Sequence, residues 1–94
     1  MVENKITKEK IEKYFKITSK ALEKAKNNIN KDRKKESDEI IEMVSNYLKD
    51  SKHFEKEGNL VDAFAAINYA HGWLDSGVRL GIFDVNDDKL FTVR

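Results

Sequence analysis

Between Leu60 and Leu80 the chain carries an apolar pattern too broad for a helix that covers a single neighbour. Drawn at about 100° per residue, Leu60, Ala63, Phe64, Ile67, Ala70, His71, Leu74, Gly77 and Val78 project to one side. Ala66, Tyr69, Trp73 and Leu80 widen that side to well over half the circumference, and Val61, Asn68, Gly72, Asp75 and Arg79 mark the opposite stripe. Such a helix has to be covered from two sides, by two neighbouring helices or by a second chain. Ala63, Ala66, Ala70, Gly72 and Gly77 have so little side-chain bulk that a partner backbone can approach closely.

Two other helices are predicted upstream. The first starts at Thr7, a suitable N-cap, and runs to about Asn30. Ile11, Tyr14, Phe15, Ala21, Leu22, Ala25 and Ile29 form its stripe, roughly 120° wide. The segment NKDRKKESDE then interrupts the pattern without Gly or Pro. Asn30 or Asp32 is placed to cap a second helix, the competing reading being one continuous helix. Ile40, Ile41, Met43, Val44, Tyr47, Leu48 and Phe54 line one side of the second helix, and Gly58 ends it at a left-handed position. Asn59 caps the third helix, with Asp62 near its positive end. The expected fold is all-α: a three-helix antiparallel up-down bundle in one domain, with helices at about 7–30, 33–57 and 60–80. In the tail, 81–94, Gly81 stops the helix and Ile82 and Phe83 fold back; Leu90, Phe91 and Val93 either dock as an extended segment or belong to a loose end. Leu74 and Phe64 are the core positions where truncation to Ala is expected to cost most.

Charge and residue usage narrow the function. Residues 1–35 carry twelve Lys/Arg against five Asp/Glu, and residues 36–94 carry six against twelve, so a net charge of +1 conceals two oppositely charged halves. This split suits an electrostatically steered partner, or one charged helix lying against another. Without cysteine there is neither a disulfide nor a thiolate metal site. No apolar run reaches the roughly 20 residues of a membrane span, and a cytoplasmic location is expected, with no membrane partner. No internal repeat is visible.

The stretch EKEGNLVDAFAAINYAHGWLDSGVRLG, with Gly58, Ala63, Tyr69, Ala70, Gly72, Trp73, Leu74, Asp75, Gly77 and Gly81, resembles the archaeal domain of unknown function 357 family, most closely over residues 47–83. The resemblance implies an antiparallel helical bundle in an archaeal cytoplasm and no established activity. A looser likeness to the helical HEPN ribonucleases fails at the motif. Those enzymes carry Arg, four to six residues, then His; here His71 precedes Arg79 at the wrong spacing.

Three constellations stand out as candidate sites. Lys13, Lys16, Lys20, Lys24 and Lys31 fall within an arc of about 80° opposite the apolar stripe of the first helix, a row that would track phosphates. Against this, Glu9 and Glu12 are spaced to pair with Lys13 and Lys16, no aromatic residue interleaves to stack a base, and arginine is scarce. Asn68, Asp75 and Arg79 share a face of the third helix with Gly72 between them, and Asp75 and Arg79 are spaced for an i,i+4 ion pair. Tyr69 and Trp73, one turn apart, either fill the groove between helices 1 and 2 or present a patch to another chain.

No catalytic, cofactor or metal site is expected. His71 falls on the apolar side, one turn before Asp75, and His53 sits near a helix C-terminus, where a cation is favoured. Asp84, Asn86 and Asp88 match the first three ligands of an EF-hand loop, but Lys89 occupies the obligatory Gly position and the twelfth ligand falls beyond Arg94, so an Asn/Asp turn is the better reading. The leading expectation is a non-catalytic protein–protein interaction or assembly module, with an unidentified protein partner or a homodimer using Tyr69, Trp73, Asn68, Asp75 and Arg79. A nucleic-acid-binding accessory protein using the basic face of helix 1 is the alternative.

Overall fold

The computed structural model describes residues 5–87 and 89–91. Three α-helices pack on one another: α1 (Lys8–Lys26), α2 (Lys34–Lys56) and α3 (Leu60–Arg79), with a short 3-10 turn at Lys31–Arg33 leading into α2. The fold is an all-α three-helix bundle in which α3 packs most extensively on α2 and also on α1. The broad apolar arc of α3 is met by these two neighbours and by the segment that follows it.

Local chemistry sets the helix ends. The Thr7 hydroxyl accepts the Lys10 N–H at 3.1 Å, and the Asn59 side chain accepts the Asp62 N–H at 3.2 Å, each satisfying an N-terminal donor. Gly58 and Gly81 adopt φ +80° and +77°, the left-handed region that lets the chain reverse. At both ends the next amide reaches back to the helix: Asn59 N–H to the Phe54 carbonyl (2.8 Å) and Ile82 N–H to the Gly77 carbonyl (2.8 Å).

The first helix stops four residues short of the expected Asn30. Residues 27–30 instead spend their backbone groups on the far end of the chain. The Asn28 carbonyl accepts the Asp84 N–H (2.7 Å), the Asn30 N–H reaches the Ile82 carbonyl (3.0 Å), and Ile29 and Phe83 form an antiparallel bridge. Asn30 also caps the 3-10 turn and donates its amide to the Gly81 carbonyl. Helix 1 therefore does not continue into helix 2, because pairing across the bundle end competes with helical bonding there.

The core has two clusters. The larger joins Ala21, Leu22, Ala25, Ile40, Val44, Leu48, Ala70, Leu74 and Val78 to Ile82, Phe83 and Phe91 from the tail. The smaller is Ile11, Ala63 and Ile67, ringed by half-buried Tyr14, Phe15, Phe54 and Phe64. Phe64 is thus a rim residue rather than a core centre. Phe91 docks through a turn, with the Asp87 carboxylate accepting the Lys89 and Leu90 amides, and not as an extended segment. Val93, Asp88 and Arg94 lie outside the described residues.

Gly77 is buried where α3 meets Phe83. A Cβ there would come within 2.6 Å and 2.7 Å of the Phe83 ring and 3.3 Å of the Ile40 Cδ1. Gly72, in contrast, faces open space. Gly→Ala in a helix ordinarily stabilises by up to about 1 kcal/mol, and overpacking a core costs about 1–3 kcal/mol. Gly72→Ala is therefore expected to raise the thermal midpoint and Gly77→Ala to lower it, a difference in sign read from two melting curves in dilute solution.

Candidate functional site

The outer face of α3 differs in chemistry from the rest of the surface. Three of its 20 residues are Asp, Glu, Lys or Arg, against ten of 19 in α1 and eleven of 23 in α2. Among the described residues the large hydrophobic side chains left exposed are Val61 (65%), Tyr69 (62%) and Leu80 (65%), all on this face or at its end. Between them lie exposed Ala65, Asn68, Gly72 and Ser76. Tyr69 and Leu80 therefore do not widen the buried side, as the periodicity suggested; they border the solvent face. Neighbouring helices cover only the arc centred on Ala70 and Leu74, leaving these two at its edge.

Tyr69 is held in place by a stacked contact with Tyr47 of α2, ring centroids 5.0 Å apart and planes 16° from parallel. Trp73 is half-buried against the larger core cluster, whereas Tyr69 stays exposed beside α2 and does not fill a groove between α1 and α2. The Trp73 indole Nε1 is buried with no hydrogen-bond acceptor among the described residues. Tyr69, Gly72, Trp73 and Ser76 together line a shallow, mainly apolar groove.

The opposite edge of the face is polar. His71 lies between α1, α3 and the C-terminal segment, with Nδ1 3.0 Å from the Thr18 hydroxyl and Nε2 2.7 Å from the Leu90 carbonyl. A carbonyl only accepts, so Nε2 carries a proton and donates it, leaving Nδ1 of the neutral ring to accept from Thr18. His71 is a strut for the tail, and its contact with Asp75 (3.8 Å) is the longer one. The Asp75 carboxylate lies one turn on from His71, on the side of the helix that faces Nε2. Asn68 and Arg79 remain exposed on the face.

The lysine row is less uniform than a helical projection implies. Lys13, Lys16 and Lys20 are exposed along α1, and the Lys13 ammonium lies 5.8 Å from the Tyr14 ring centroid. Lys24 is committed to Asp87 (3.0 Å), a contact that ties α1 to the tail. This bond to Lys24, followed by the backbone amide of Lys89, holds the Asp87 carboxyl below its usual range. Lys31 lies on the 3-10 turn, not on α1, so the five lysines do not form one helical row. Lysine spacing alone cannot reveal where the helix ends, nor that Asp87 returns to it.

Sequence reasoning placed Val61 on the outer stripe of α3, where it is exposed, but missed Ala65, Ser76 and Leu80 as members of that face and Tyr47 as its support. The scarcity of charge in α3, set against two heavily charged neighbours, was the available signal. Among the described residues no group of three or more His, Asp or Glu side chains is placed to hold a metal ion, and no helix is long and apolar enough to cross a membrane.

No curated protein and no solved structure matches the chain. A family model does, over residues 13–83, from the middle of the first turns of α1 to the phenylalanine that closes the core. That match spans most of the chain and all of the α3 face, and the protein belongs to the family described as protein of unknown function (DUF357).

Proposed function

We propose that the protein is a non-catalytic protein–protein interaction or assembly module and that the outer face of α3 is its contact surface. One observation carries the reading: on a molecule whose other helices are about half charged, α3 has three charged residues in 20, and its outer face holds the large apolar side chains exposed among the described residues. Interface centres are depleted of charge and rich in aromatic residues. Tyr69, already ordered by stacking on Tyr47, loses little rotamer freedom when a partner covers it. The nucleic-acid reading rests on fewer lysines, since Lys24 is paired and Lys31 lies off the helix.

The test is capture of partners by the tagged full chain from a lysate of its own source, with and without nuclease. Wild type is compared with a Tyr69→Glu, Leu80→Glu variant and with a Lys16→Glu, Lys20→Glu variant. A protein retained by wild type and by the lysine variant, but reduced at least about tenfold by the α3 variant, is the expected result. Loss with the lysine variant alone, or with nuclease, would transfer the function to the basic face of α1.

A further inference from the structure

Resting on the reading of α3 as a contact surface, we infer that its occupant is a second copy of this chain, paired antiparallel through α3 about a two-fold axis level with Ala70 and His71. The argument is the arrangement of size and charge along the face. With the axis at that level, Ala65 of one copy comes level with Ser76 of the other, and Tyr69 with Gly72. Two small residues then meet at each outer level, which lets the helices approach, and a large ring meets a residue with no side chain near the centre. Gly72 has nothing within 4 Å of where a Cβ would stand, so the space for that ring is open. Val61 comes level with Leu80, and these are the remaining large apolar side chains exposed on the face.

Charge selects the same register. Asp62 and Arg79 stand near opposite ends of α3, and antiparallel pairing brings each level with its opposite in the second copy. Parallel pairing would set Asp62 beside Asp62, Arg79 beside Arg79, and Tyr69 beside Tyr69. It would also align the two helix dipoles, whereas antiparallel pairing opposes them. A two-fold arrangement uses one patch twice, and so needs the self-complementarity found here.

The chain has no cysteine, so introduced thiols report the register without interference. Wild type is expected to show a concentration-dependent mass rising to twice the 10.9 kDa of one chain in sedimentation equilibrium. Ala65→Cys and Ser76→Cys, both at exposed sites, are expected to form a disulfide-linked dimer when mixed and oxidised. Neither alone should cross-link, because identical positions are then about 16 Å apart along the axis, beyond the roughly 7 Å Cα limit of a disulfide. Arg79→Glu, which removes the opposite charge at the ends, should weaken association about tenfold. A mass of one chain at all concentrations, or self-linking by either single variant, would overturn the pairing. A monomer that still captures a different protein through Tyr69 and Leu80 would also overturn it, while leaving the interaction module intact.

Discussion

Phe83→Ala is expected to lower the unfolding free energy by about 3–5 kcal/mol, the range for removing a fully buried aromatic ring. Phe83 is 1% exposed and heads the fully buried side chains by volume. It is also the point where four parts of the chain meet. Its ring lies against Gly77 of α3 and Ile40 of α2 reaches the same spot, while its backbone bridges Ile29 after α1. The lost ring therefore leaves a cavity walled by helices that are held apart by their own contacts and collapse only in part. For a small domain whose total stability is about 5–15 kcal/mol, such a loss shifts a chemical denaturation midpoint far to lower denaturant. A second measurement isolates the cause. Gly77→Ala should destabilise wild type yet be neutral or stabilising in the Phe83→Ala background, where the atoms its methyl would strike are absent. Additive effects of the two substitutions would show that the Phe83 ring is not what forbids a side chain at position 77.

The prominence of Phe83 illustrates what the sequence displays and what it conceals. Helical periodicity places Ile11, Ala21, Leu22, Val44, Leu48, Ala70 and Leu74 inward, and each is buried. Capping chemistry is local, and so Thr7, Gly58, Asn59 and Gly81 were readable from a few neighbours. Contacts between distant segments leave no such trace. Nothing near Asn28 announces that its carbonyl will be needed by Asp84, 56 residues later, so the early end of α1 could not be read. Small polar residues are hidden for a related reason. Thr18, Ser37 and Ser51 are almost fully buried, and the Ser51 hydroxyl donates to the Ala63 carbonyl (3.0 Å) between α2 and α3, yet an apolar stripe drawn from hydropathy passes over all three. The candidate face suffers from the converse problem: Tyr69 and Leu80 look like core, and only the positions of α1 and α2 show that the covered arc ends before reaching them.

Leu74→Ala and Phe64→Ala, equivalent by periodicity, are expected to separate clearly. Leu74 is 0% exposed within the larger cluster, where α2 and α3 pack most extensively and the tail closes the end. Its truncation should cost about 2–5 kcal/mol, towards the upper end because the surrounding side chains come from three separately anchored segments. Phe64 is half-buried on the smaller cluster, with an edge-on contact to Tyr14 (5.5 Å) and the Lys10 ammonium 5.6 Å from its ring. Part of its surface is already in water in the folded protein, and its outer neighbours can close over the gap. About 1–2 kcal/mol is the expected loss there. Urea unfolding of both variants with an unchanged slope gives the two values directly, since an equal slope means the same surface is exposed on unfolding. Equal losses would mean that the smaller cluster is as tightly closed as the larger and that the bundle has one continuous core. A large loss at Leu74 beside a small one at Phe64 would place the stability at the end of the molecule where α1, α2, α3 and the tail converge. The outer face of α3 would then be carried on the more rigid half of the bundle, which is what a contact surface built from Tyr69, Gly72 and Ser76 requires.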